Sequence, residues 1–270
     1  MPEILFYLKA TFLFLSLFTF TTVCFSQNFK RLQTQNLKGG YNGFSSFVDY
    51  DNNGYLDIFV TGVDFENRFS NAVFYKNNGD NSFTESAITN IPRVIYGDYA
   101  WADFDNNGTL DLLYSGTTSG FPADGITKVF QNIDNGCEFR ELNISLPGRT
   151  NGSSLWADVD SDGLLDIFLT GYTPSNELKV EIYRNTGKGD FVNQNYSFID
   201  DENTTTAFPG EIARLHDLDN DGNLDFFTCN SNLGTVNYYE NTGIMDNVPQ
   251  LVYSTDNWQD IDIVSYNCNS

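Results

Sequence analysis

Four acidic nine-residue loops carry the side chains in this sequence that are best suited to chemistry. The loop that begins at Asp158 has carboxylates at positions one, three, five and nine and a glycine at position six. An oxygen-only set with this spacing suits Ca²⁺, which takes six to eight oxygen ligands. Alternate side chains of a tight loop converge on one point, and the backbone carbonyl of position seven adds an oxygen. Gly163 permits a sharp turn that a Cβ would obstruct.

The same pattern begins at residues 49, 103, 158 and 217, at intervals of 54, 55 and 59 residues. We number these stretches loops I to IV. A near-regular period of this length indicates an array or a propeller of repeated units. The pattern predicts metal ligands at positions one, three, five, seven and nine, which are Asp49, Asp51, Asn53, Tyr55 and Asp57; Asp103, Asp105, Asn107, Thr109 and Asp111; Asp158, Asp160, Asp162, Leu164 and Asp166; and Asp217, Asp219, Asp221, Asn223 and Asp225.

The residues around each loop predict a unit of four strands. A bulky residue stands two positions before each loop, and the strand after it is apolar on both faces, as in a strand buried on two sides. A second apolar strand, a turn of the Asn-x-Gly type and a weaker strand follow. The sequence therefore predicts an all-β fold, a β-propeller or partial propeller of four-stranded blades with Ca²⁺-binding Asp-rich hairpin loops.

The loops, the apolar run after each and the turn and phenylalanine beyond resemble FG-GAP/VCBS repeats, the blades of integrin-α-like β-propellers. The resemblance covers about residues 40–250. It implies that Ca²⁺ is bound in the hairpin between the first two strands of each blade. Members of this family include adhesion receptors, lectin-like surface proteins and domains attached to polysaccharide-degrading enzymes, so the resemblance does not imply one activity. This chain has four intact loops, whereas integrin-like rings have seven blades.

Charge and the first residues predict an exported protein that does not bind nucleic acid. The net charge is −22, whereas binding to nucleic-acid phosphates requires a basic face. Residues 1–26 have the pattern of a signal peptide, with Lys9 before a short apolar run. A membrane anchor is the alternative, but the run is short for a spanning helix, and no later segment could span a bilayer. We expect a secreted or cell-surface protein with no transmembrane segment after signal removal.

The mature chain, residues 27–270, is predicted to hold four complete repeats and a partial fifth that begins near Trp258. Joining the two ends of this chain in one blade would close a ring. The chain could also be a fragment of a larger propeller, or it could complete the ring by self-association. Cys229 and Cys268 are a candidate disulfide pair, with buried free thiols as the alternative.

Two other readings of the acidic loops, and two other kinds of site, are less favoured by the sequence. An EF-hand requires glutamate at position twelve, where these loops have Val60, Tyr114, Leu169 and Thr228. Solvated turns without metal would hold several repelling carboxylates together. The single histidine, His216, argues against a zinc site or a catalytic triad.

Loops III and IV, which have four carboxylates, are expected to bind Ca²⁺ more tightly than loops I and II.

The sequence favours a calcium-binding module over an enzyme. We expect the protein to bind an extracellular protein or a glycan through loops of variable length, at residues 62–71, 116–126 and 172–178, with Ca²⁺ in a structural role. Two alternatives stay open. One is a polysaccharide lyase or hydrolase on the same scaffold, and the other is a non-autonomous fragment of a larger propeller protein.

Overall fold

The computed structural model describes residues 37, 41–63, 72–120, 122–136, 138–195, 212–230, 235–245 and 248–254. All of them lie in one compact unit, Thr34–Ser270. The predicted signal peptide, the partial fifth repeat and the side chains of the candidate cysteine pair lie outside these residues. Nothing within the described ranges forms a helix of the length and apolarity that a bilayer span requires.

The described residues form four antiparallel sheets of four strands, each in simple up-and-down order. Sheet I comprises β1 to β4, at Ser45–Val48, Asp57–Val60, Val73–Asn77 and Phe83–Glu85. Sheet II comprises β5 to β8, at Tyr99–Ala102, Asp111–Thr117, Gly125–Asn132 and Phe139–Glu141. Sheet III comprises β9 to β12, at Ser154–Ala157, Asp166–Tyr172, Leu178–Asn185 and Phe191–Asn193. Sheet IV comprises β13 to β16, at Ile212–His216, Asp225–Asn230, Thr235–Met245 and Val248–Ser254.

The all-β class and the four strands per unit are therefore confirmed for this part of the chain. A single 3₁₀ turn, Pro122–Asp124, is the only helical element among the described residues. Each acidic loop joins the first strand of its sheet to the second, as the resemblance implies. In sheet IV the third strand continues past the predicted turn, and its register with β16 shifts between Asn241 and Ile244.

Three apolar cores hold neighbouring sheets together. One lies between sheets I and II, the next between sheets II and III, and the third between sheets III and IV. The second strand of sheet II shows how one strand serves two cores, because Leu112 packs toward sheet I while Leu113 packs toward sheet III. Each fully buried leucine of this kind stabilises the fold by about 2 kcal/mol. The predicted burial on both faces is thus confirmed for this strand.

Sheet I differs from the two sheets in the middle of the sequence. Phe47 is 71% exposed, although it occupies the position that Trp101 and Trp156 occupy in sheets II and III, where both pack against a core. Ile58 and Val60 of β2 are only half-buried, so the expected burial on both faces holds in part for this strand. The reason is positional: among the described residues, no core cluster covers this face of sheet I.

Candidate metal centres

Each loop brings together the carboxylates of positions one, three and nine. In all four loops, one oxygen from each of the three side chains lies within 4.8 Å of the others. Two oxygens bound to one Ca²⁺ ion at about 2.4 Å lie at most about 4.8 Å apart, so each cluster is compact enough for a single ion. The clusters are Asp49, Asp51 and Asp57; Asp103, Asp105 and Asp111; Asp158, Asp160 and Asp166; and Asp217, Asp219 and Asp225.

Position one shapes the loop as well as contributing charge. In loop III the two oxygens of Asp158 accept the backbone N–H groups of Asp162 at 3.0 Å and Gly163 at 2.9 Å. The other three loops repeat both hydrogen bonds. The aspartate at position one therefore closes the turn around the place where the carboxylates meet.

Position nine ties the loop to the third strand of its sheet. Asp166 is fully buried and accepts two backbone N–H groups, from Val159 at 3.1 Å and from Asn185 at 2.7 Å. The first donor belongs to the loop and the second ends the third strand, so one carboxylate fixes both. Loops I, II and IV repeat the arrangement.

The asparagine that starts each turn of the Asn-x-Gly type has a structural role that the sequence analysis missed. In sheet III the Nδ2 group of Asn185 donates to the Leu165 carbonyl at 3.0 Å, and its Oδ1 accepts the Gly187 N–H at 2.9 Å. The same pair of bonds recurs in the other sheets. The signal was present in the sequence, because an asparagine recurs at this place in every unit, at Asn77, Asn132, Asn185 and Asn241.

The predicted ligands at positions five and seven lie beside the clusters. Asp162 and Asp221 are not part of the three-carboxylate groups. The side-chain oxygen of position five instead accepts the N–H of position seven, at 2.9 Å between Asp162 and Leu164 and at 2.7 Å between Asp221 and Asn223. Loops I and II have the same bond. Metal ligation by these two positions stays a prediction.

The glycine at position six is required for its backbone conformation. Gly163 has a φ of 85°, in the left-handed region, and the equivalent glycines of the other loops have φ between 86° and 93°. Apart from its two chain neighbours, no atom lies within 4 Å of a Cβ added at Gly163. The positive φ is therefore the reason for glycine, because a Cβ in this backbone conformation meets the local backbone. Position four also has a positive φ, at Asn52, Asn106, Ser161 and Asn220.

Burial raises the pKa of the closing aspartates of loops I to III. The pKa of Asp111 is raised to about 7, mainly by loss of solvent, although the Asn132 N–H opposes the shift and the charge of Asp105 adds to it. Asp166 is also raised to a pKa of about 7, again by burial first. The pKa of Asp57 is raised for the same reason. Clustered buried carboxylates are thus costly without a compensating charge.

Two buried oxygens support the fit of a cation to the clusters. The Oδ1 atoms of Asp51 and Asp160, at position three of loops I and III, are buried and have no hydrogen-bond partner. Their side chains are 8% and 1% exposed. An unpaired buried carboxylate oxygen among other carboxylates is suited to a hard divalent cation. The donor set therefore fits Ca²⁺, which would be held by positions one, three and nine.

Neighbouring loops also contact each other. The Nδ2 group of Asn132, in the turn of sheet II, donates to the Tyr50 carbonyl of loop I at 2.8 Å. Asn52 of loop I donates to the Gly108 carbonyl of loop II at 2.9 Å. These two hydrogen bonds join loop I to the turn and the loop of sheet II.

The first two loops lie in a stretch that matches a known family. Residues 26–114 match the family model described as FG-GAP-like repeat. This stretch is similar to FG-GAP-like repeats. The resemblance predicted from the motifs is thus confirmed, and the matched FG-GAP-like stretch includes all of loops I and II. Loops III and IV share the same hydrogen bonds outside it. No curated protein matches the chain.

Proposed function

We propose that this protein is a calcium-stabilised β-propeller, or part of one, that acts outside the cell as a binding or adhesion module. The observation that carries the proposal is the fourfold repetition of a compact three-carboxylate cluster whose closing aspartate also ties two strands together. A ligand that binds the folded state stabilises it. Ca²⁺ would therefore hold the hairpin of each sheet, and catalysis is not part of the proposed role.

The proposed contact surface lies at the opposite end of the sheets from the acidic loops. The second strand of each sheet starts at the closing aspartate and ends at the connection to the third strand. These connections include residues 118–124 of sheet II and 173–177 of sheet III, where Thr118 and Glu177 are exposed. They vary in length and sequence, whereas the acidic loops keep one length and one spacing of acidic residues, as expected if the connections contact different ligands.

The proposed partner is an extracellular protein or a glycan. The FG-GAP-like repeat and the acidic composition support a location outside the cell, where Ca²⁺ is plentiful enough to fill weak oxygen sites. A net charge of −22 disfavours nucleic acid as a partner.

A binding screen tests this proposal. The purified protein is applied to glycan and extracellular-protein arrays in Ca²⁺ and again in EGTA. We expect retention of at least one ligand in Ca²⁺, loss in EGTA and loss in the variant Thr118→Arg. The matched control is Lys188→Glu, an exposed change in the turn beside loop III. The absence of any ligand, or cleavage of a glycan by the protein, would contradict a binding role.

A further inference from the structure

One residue of the third strand contacts position three of the loop in three of the four sheets. This residue directly precedes the turn asparagine, and we call it the third-strand position. Lys76 Nζ lies 2.5 Å from Asp51 Oδ2. Arg184 Nε lies 2.5 Å from Asp160 Oδ2, and in sheet II Gln131 donates to the equivalent aspartate of loop II. In these three sheets the side chain at the third-strand position therefore points toward the carboxylate cluster.

In sheet IV the third-strand position is an acid. Glu240 pairs with Val252 of the fourth strand, just as Arg184 pairs with Val192. Residues at the same place in the register of equivalent strands lie on the same face of the sheet. Glu240 therefore occupies the place from which arginine reaches position three in loop III.

The burial of position three follows the charge at this place. The side chains of Asp51 and Asp160, which face lysine and arginine, are 8% and 1% exposed. Asp105, which contacts Gln131, and Asp219, in the sheet whose third-strand residue is Glu240, are both exposed. A positive charge lowers the cost of burying a carboxylate because it offsets part of the lost hydration. The basic residues thus partly fill the electrostatic role of a cation in loops I and III.

Arg184 extends this effect to a second carboxylate. Its Nη2 lies 2.7 Å from Asp162 Oδ2, so one guanidinium holds positions three and five of loop III together. These contacts raise the pKa of Arg184, with the hydrogen bond to Asp160 as the largest cause. Loop III therefore has an internal cation where loop IV has an additional carboxylate.

We propose that the third-strand position sets the Ca²⁺ affinity of each loop and the dependence of its sheet on the metal; this inference rests on the proposed calcium binding. The acidic residues at positions one, three, five and nine, counted with the third-strand residue, give formal charges of −2, −3, −3 and −5 for loops I to IV. Affinity rises with ligand charge. Loop IV is then the tightest and most metal-dependent site, loop I is the weakest, and loops II and III are intermediate.

This order differs from the one expected from the loop residues alone, which groups loop III with loop IV. A basic residue at the third-strand position repels an incoming Ca²⁺ ion. The same residue supplies positive charge to the loop when no Ca²⁺ is bound. Sheets I and III would therefore keep their loops folded at low calcium, whereas sheet IV would loosen first.

Charge reversals at the third-strand position test the inference. Calorimetric titration with Ca²⁺ and melting in Ca²⁺ and EGTA are compared for the wild type, Glu240→Arg and Arg184→Glu. We expect Glu240→Arg to weaken the tightest binding phase about tenfold. Arg184→Glu should strengthen one weaker phase by a similar factor and lower the melting temperature in EGTA. If Glu240→Arg does not fold, Glu240→Gln should weaken the tightest phase by about threefold.

The controls reverse charges at the other end of sheet III. Lys179→Glu and Glu177→Arg alter an exposed ion pair of 3.2 Å. Lys179 lies five residues from Arg184 on the same strand, about 16 Å away, beyond the screening length of about 8 Å at physiological salt. If the wild type takes up no Ca²⁺, the proposed function fails. If it binds Ca²⁺ but the third-strand variants match these controls within twofold, the inference alone fails.

Discussion

Loops III and IV have acidic residues at the same four positions, one, three, five and nine, yet their surroundings differ. In loop III the aspartate at position three is buried beneath Arg184, and the aspartate at position five is bound by the same guanidinium. In loop IV the corresponding aspartates are exposed, and the equivalent third-strand residue is Glu240. In both loops the carboxylate at position one accepts the same two backbone N–H groups. Loop shape is therefore set by this shared carboxylate, whereas the charge around positions three and five differs because of a residue outside the loop.

The largest loss of stability is expected at position nine, where loops III and IV are alike. Asp166→Ala and Asp225→Ala each remove the acceptor of two backbone N–H groups next to a core. Leaving buried donors unpaired costs about 3 kcal/mol or more. We expect both variants to lose this stability in urea titrations, in EGTA as well as in Ca²⁺. The exposed change Asp190→Ala is the control. Unchanged stability in EGTA would show that these aspartates do not tie the strands together.

A smaller loss is expected at the turn asparagines, and here sheet III should be the more sensitive. Asn185 makes its two side-chain bonds at 3.0 and 2.9 Å, whereas Asn241 makes the equivalent bonds at 3.3 and 3.2 Å. We expect urea unfolding to show losses of about 2 kcal/mol for Asn185→Ala and about 1 kcal/mol for Asn241→Ala. Asn185→Asp keeps the acceptor but places a buried carboxylate against the Leu165 carbonyl, so it should lose at least as much as Asn185→Ala. The reverse order of the two alanine variants would contradict the comparison.

The pH dependence of the metal-free protein tests the burial of the closing aspartates. Asp111 and Asp166 have pKa values of about 7 in the folded state, above those of an unfolded chain, so the folded state holds more protons between about pH 4 and pH 7. Stability in EGTA is therefore expected to fall as pH rises through this range, with a melting temperature about 5 °C lower at pH 7.5 than at pH 5.

Two comparisons sharpen this test. The fall in melting temperature with rising pH should be smaller in the variant Asp166→Asn, because its amide has no proton to lose in this range. The fall should also be smaller for the wild type in Ca²⁺. Asp98, whose pKa is also raised by burial, lies outside the loops and should leave a residual fall in both cases. A melting temperature in EGTA that rises with pH would contradict the burial argument.

The smallest effect, a change in Ca²⁺ affinity, is expected at position five. Its size should differ between loops III and IV. Asp162 is bound to Arg184, while Asp221 is exposed and its pKa is lowered by the Asn223 N–H, which keeps it charged. Asp221→Asn is expected to weaken one Ca²⁺ phase about fivefold in calorimetry, and Asp162→Asn about twofold. Equal weakening by the two substitutions would argue against a difference between the loops.

Much of the fold could be predicted from sequence because its signals are local. The acidic loops, the apolar second strands and the turns lie within each repeat, and the structure has four strands at each predicted unit. The clusters at positions one, three and nine were predictable for the same reason. The exposure of Phe47 was not, because it depends on which sheet face packs beside it.

The contacts that distinguish the loops could not be predicted because they join distant residues. Asp160 and Arg184 are 24 residues apart, and Asp166 and Asn185 are 19 residues apart. Only the register of the sheet brings these pairs together. The recurring asparagine was visible in the sequence, but its acceptor in the loop was not.

Melting and calcium uptake of the same protein sample test the central claim most directly. The protein is stripped with EGTA, its circular-dichroism melting curve is recorded, and Ca²⁺ is then returned by calorimetric titration. We predict a melting temperature lower by about 10 °C or more after stripping, with recovery on uptake of four ions per chain, one for each cluster. An unchanged melting curve with no uptake of Ca²⁺ would contradict the account.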